Sequence, residues 1–112
     1  MEIRTEIAFH GIERSEAVEA LVRRWVERCR QADDQIERCE VVLQQPHRHR
    51  LHGRAFHVTI LLGLRGRVVA VSHVGGTDIY LAVADAFRAA RRQAGATIDR
   101  RRPYDRRTAP RW

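Results

Sequence analysis

The sequence predicts an α+β fold of element order β-α-β-β-β-α, a four-stranded, mostly antiparallel sheet with two helices packed on one face. Three observations predict it. Four short stretches alternate apolar and polar residues, two longer ones repeat apolar residues at helical spacing, and each strand has only one apolar face. Strands with one polar face need cover on the other side alone, so both helices belong on the same side. At 112 residues the chain suits one two-layer domain.

Ile3, Thr5 and Ile7 alternate with Glu2, Arg4 and Glu6, the period of a half-buried first strand over about residues 2–8. His10 and Gly11 break it. Ser15 is an N-cap candidate with Glu16 and Glu19 well placed in the first turns, and Val18, Leu21, Val22, Trp25, Val26 and Cys29 follow at helical spacing. A first helix over about 16–31 is expected. Cys39, Val41 and Leu43 share one face of a second strand over 36–45, which stops before Pro46. A loop rich in His and Arg comes next. Phe56, Val58, Ile60 and Leu62 line a third strand, and a turn over 63–66 returns the chain through a fourth over 68–74. Gly75 and Gly76 end that strand, and Thr77 and Asp78 are cap candidates. Ile79, Val83, Ala86, Phe87, Ala90 and Ala94 then mark the buried stripe of a second helix. From Arg100 the segment RRRPYDRRTAPRW is too charged to bury, so residues 1–102 are expected to form the domain and 103–112 a basic, solvated tail.

The net charge is +7, and all 21 basic residues are arginine. Such a field favours a polyanion, and arginine suits phosphate because its planar fork bonds bidentately and stacks on bases. A genome rich in G and C explains arginine in place of lysine, but not the surplus of positive charge. No apolar run nears the roughly 18 residues that cross a bilayer, and Glu2, Arg4 and Glu6 interrupt any export signal. A cytoplasmic protein with no membrane partner is expected. Cys29 and Cys39, on a helix and a strand, read as small buried hydrophobes. Ser15 and Ser72 lack the glycines of a nucleophile elbow, no Walker loop is present, and Asp33 and Asp34 read as turn or cap residues. Hence no enzyme, no cofactor and no small-molecule substrate is expected.

Projection at 100° per residue puts Arg88, Arg91 and Arg92 in one wedge opposite the buried stripe of the second helix. Taken alone this wedge is either a solvated face or a seat for an anion. The first helix tilts the balance, since Arg23, Arg24, Arg28 and Arg30 also lie off its apolar stripe, and two helices on one side of a sheet can join their basic faces into one RNA-binding surface. Trp25 sits at core spacing and reads as packing, while Tyr80 lies at the margin of its stripe. His47, Arg48, His49 and Arg50 open a loop that reaches His52 and His57. Its spacing matches no usual zinc pattern and its arginines repel a cation, so it reads as RNA-facing or solvated, with no metal.

The stretch DIYLAVADAFRAARRQ, with Asp78, Tyr80, Ala82, Val83, Arg92 and Gln93, resembles the second-helix signature of the hibernation promoting factor and ribosome-associated inhibitor A family. SEAVEALVRRWVERC resembles its first helix, PHRHRLHGRAFHVTILL a His-rich hairpin found in a subset, and the likeness spans residues 1 to about 102. The resemblance implies a four-stranded sheet with two helices on one face. It further implies a translation inhibitor that binds ribosomal RNA of the small subunit, where messenger and transfer RNA otherwise lie, so that idle ribosomes hibernate under stress. By position, Arg28 and Arg92 fall where the two helices of the family carry basic contact residues. Ala89 stands where a lysine is common, Gly95 weakens the helix beyond it, and Arg88 and Arg91 can compensate. With the chain ending at Trp112, the resemblance is to the short form. Two other readings stay open on the residues alone: a double-stranded RNA-binding module acting away from the ribosome, and a protein whose His loop binds a metal or a partner.

Overall fold

In the computed structural model, which describes residues 3–45 and 55–103, each periodic stretch takes up the element its period requires. The strands are β1 (Arg4–His10), β2 (Ile36–Gln44), β3 (His57–Leu64) and β4 (Arg67–Val74), and the helices are α1 (Glu16–Ala32) and α2 (Ile79–Pro103). The order β-α-β-β-β-α is the one expected.

The sheet runs β1-β2-β3-β4. β1 and β2 are parallel, from Arg4 opposite Arg38 to His10 opposite Gln44, while β2–β3 and β3–β4 are antiparallel. A parallel pair cannot be closed by a tight turn, and α1 supplies the crossover. The β3–β4 hairpin is tighter than expected, for Leu64 pairs with Arg67 and leaves only Arg65 and Gly66 in the turn. Gly66 has φ +84°, a conformation in which a side chain is strained.

α1 lies against β1 and β2, α2 against β3 and β4, and the helices touch each other. The core between the layers takes Cys39, Val41 and Leu43 from β2, Val58, Ile60 and Leu62 from β3, and Val69 from β4. Val18, Val22, Trp25, Val26 and Cys29 of α1 and Val83, Ala86, Phe87, Ala90 and Ala94 of α2 close it from the other side. Among the described residues every buried side chain is apolar. The opposite sheet face is open, with Arg4, Glu6 and His10 of β1 and Val68, Ala70, Ser72 and Val74 of β4 exposed.

The weakening expected at Gly95 does not break α2, which continues to Pro103. One helical glycine costs about 1 kcal/mol relative to alanine. The burial of Ala90 and Ala94 just before it, within a run of good helix formers, offsets that loss. α2 runs to Pro103, one residue into the tail expected over 103–112, and residues 104–112 lie outside the described residues.

Candidate nucleic-acid interface

Two caps fix where the basic faces begin. Ser15 accepts at Oγ from the Val18 N–H at 3.2 Å, and the first turn of α1 carries Glu16 and Glu19, favourable at the positive end of a helix. Asp78 does the same for α2, its Oδ1 accepting from the N–H groups of Tyr80 at 3.0 Å and Leu81 at 3.4 Å. From these starts, helical periodicity turns Trp25 and Phe87 toward each other across the seam between α1 and α2. Their rings stack with centroids 5.9 Å apart and planes 11° from parallel.

Both basic faces converge on this stack. The Arg28 guanidinium carbon lies 4.8 Å from the Trp25 ring centroid, and that of Arg88, from the other helix, lies 5.5 Å away. Each distance is within the range in which a cation is attracted to an indole face, by about 0.5–1 kcal/mol at an exposed site. Arg88 is also ion-paired to Asp85 at 3.0 Å, and Asp85 lies 4.0 Å from Nε2 of His73 on β4. Beyond the stack the seam opens into a cleft of about 790 Å³. Arg88, Arg91 and Arg92 form one wall, Asp33, Asp34 and Gln35 another, with Cys29, Ile36 and Ala94 among them. Arg91 and Arg92 are exposed, and no carboxylate is within ion-pair distance of either among the described residues.

The structure divides the arginines that the sequence groups together. Arg28, Arg88, Arg91 and Arg92 gather along the seam. Arg23 and Arg30 line a smaller cleft on the far flank of α1 with Ile3 and Thr5, next to β1 rather than α2. Arg30 is held there by Glu27, whose carboxyl this hydrogen bond keeps below the usual range. Arg24 is exposed on α1. His47, Arg48, His49 and Arg50 lie outside the described residues. Sequence reasoning assigned Trp25 to packing, which it does at 7% exposure, but missed that it also joins two arginines. Its spacing of three from Arg28 was a signal for half of that arrangement. The other half, Arg88, meets it only through the fold.

Both cysteines are buried free thiols. Burial raises the Cys29 pKa and pushes that of Cys39 up to about 12, so neither is a ready nucleophile or metal ligand. Among the described residues no helix is long and apolar enough to cross a membrane.

Comparison with known proteins gives a family match over residues 5–102, to the family described as Sigma 54 modulation protein / S30EA ribosomal protein. Two solved structures share the fold. The N-terminal domain of Protein Y from Thermus thermophilus is 22% identical with a TM-score of 0.67, over 83% of this chain and 94% of that one. A ribosomal subunit interface protein from Coxiella burnetii is 13% identical with a TM-score of 0.69, over 86% of this chain and 99% of that one. Comparison with curated protein sequences gives no match.

Proposed function

This chain belongs to the Sigma 54 modulation protein / S30EA ribosomal protein family, and on that premise we propose that it is a ribosome hibernation factor acting in the cytoplasm. It binds ribosomal RNA of the small subunit through the α1–α2 seam and inhibits translation by occupying the messenger and transfer RNA sites. The observation that carries this reading is the gathering of Arg28, Arg88, Arg91 and Arg92 along one seam, with Arg91 and Arg92 exposed beside an open cleft. Guanidiniums gathered on a fixed scaffold repel one another unless an anion such as phosphate lies between them. Occupancy needs no reacting group, which agrees with the raised pKa of both thiols. The protein should sediment with small subunits from a lysate, and inhibition of cell-free translation should be stoichiometric with ribosomes and reversible. A preference for free RNA duplex over subunits would favour the double-stranded RNA-binding reading instead, and progressive cleavage or modification of RNA at substoichiometric protein would overturn occupancy.

A further inference from the structure

We infer that Trp25 is a positioning residue: its indole holds Arg28 of α1 and Arg88 of α2 together as one phosphate-binding pair. The inference rests on the reading of the seam as the RNA-binding face. Trp25 itself is out of reach of a ligand, being only 7% exposed, and the parallel stack on Phe87 keeps its ring from turning. Both guanidiniums nevertheless lie over it while their side chains stay exposed. Two neighbouring cations repel, and the negative face of an indole is a surface on which both can rest without losing the outward N–H groups that phosphate needs.

The two arginines do not depend on the ring equally. Arg88 has a second hold, the carboxylate of Asp85, which His73 flanks. Arg28 has no such carboxylate among the described residues, and the indole is what orients it. Loss of the indole should therefore free Arg28 and largely spare Arg88. A mobile arginine must be ordered again on binding, so affinity falls although the net charge is unchanged.

Two variants of the full chain test this, Trp25→Phe and Trp25→Leu. The first keeps a ring to stack on Phe87 with a weaker attraction for cations, and the second keeps apolar bulk with no ring. Melting curves would establish that each folds. The first readout needs no RNA: the Nε–Hε signals of Arg28 and Arg88 by NMR. In wild-type protein Arg28 should be ordered and shifted upfield by the ring. In Trp25→Leu it should move to the free-arginine position and become mobile while Arg88 stays ordered, with Trp25→Phe between the two. The second readout is affinity for purified small subunits, expected to fall about 2- to 5-fold in Trp25→Leu, the equivalent of one exposed cation–π contact. Arg28→Ala should then cost less in the Trp25→Leu background than in wild type. An Arg28 signal equally ordered in wild type and in either folded variant overturns the inference, and so does unchanged subunit affinity in Trp25→Leu. Failure of wild-type protein to bind subunits would instead overturn the proposed function, and the Arg28 signal would still decide the role of Trp25.

Discussion

Arg23 and Arg28 are five positions apart on one helix and carry the same charge, yet they have different neighbours. Arg28 rests on Trp25 at the seam, and Arg23 lines the flank next to β1. If a shaped site rather than bulk charge does the binding, removing two seam arginines must matter more than removing two others. Arg28→Ala with Arg92→Ala should weaken small-subunit binding by roughly tenfold or more, since each charge-assisted contact contributes about 1.5–3 kcal/mol before solvent screening. Arg23→Ala with Arg67→Ala, also exposed positions, should change it by less than about threefold. Equal losses in a salt-matched binding assay would place the site elsewhere. The cysteines make a separate prediction at this scale. Cys39 is pushed from 9.0 to about 12 by burial, so the folded state resists ionisation that the unfolded state permits. The group's contribution to stability is fully present below about pH 9 and is lost as pH rises from there toward 12. Chemical denaturation at pH 8 and pH 10.5 should show that loss in wild-type protein and a smaller one in Cys39→Ala.

The joint between β4 and α2 is where one element constrains another. A Cβ added at Gly75 would stand 2.6 Å from Cβ and 3.1 Å from Cα of Ala82, whereas one at Gly76 meets nothing within 4 Å. Adjacent glycines, which the sequence reads only as a strand break, thus have unlike roles. Gly75 permits the close approach of α2 to the strand end, and its N–H donates to the Phe56 carbonyl at 2.8 Å. Gly75→Ala should destabilise the fold by about 1–3 kcal/mol through overpacking, while Gly76→Ala should fall within about 0.5 kcal/mol of wild type. Thermal melts of the pair suffice, and equal melting temperatures would contradict the packing argument. Because Ala82 lies six residues, less than two turns, before Arg88 on the same helix, a shift at this joint would also disturb the seam.

Across the whole molecule the charge of +7 sets how binding responds to salt. If about four to six phosphates are neutralised, the logarithm of the affinity should fall against the logarithm of salt concentration with a slope of about −3 to −5. Titration of small subunits between low and moderate salt measures it. A slope near zero would mean that phosphate is not what the seam contacts. The open sheet face contributes little to this field, since on it Arg4 is accompanied by Glu6 and Arg38 is 3.8 Å from Glu40. Residues 46–54 and 96–112 carry nine arginines against two aspartates, which equals the whole surplus of +7.

Periodicity by itself determined the elements and their order, because a period of two or of 3.6 is a local property that a hydrophobic stripe writes directly into the chain. One-sided strands put both helices on one face, and the second-helix signature in DIYLAVADAFRAARRQ pointed to the family that the match over residues 5–102 shows. Local signals could not reach further. The extent of α2 past Gly95 depended on burial of Ala90 and Ala94 against other elements, and the two-residue turn at Arg65 and Gly66 depended on cross-strand pairing. The proposed site was legible as a set of candidate arginines but not as a shape. A helical wheel separates Arg23 and Arg30 from Arg24 and Arg28, but it does not say which neighbour either pair meets. Only the placement of α1 between β1 and α2 set Arg23 and Arg30 beside β1 and brought Arg28 and its indole to where Arg88 reaches from the other helix.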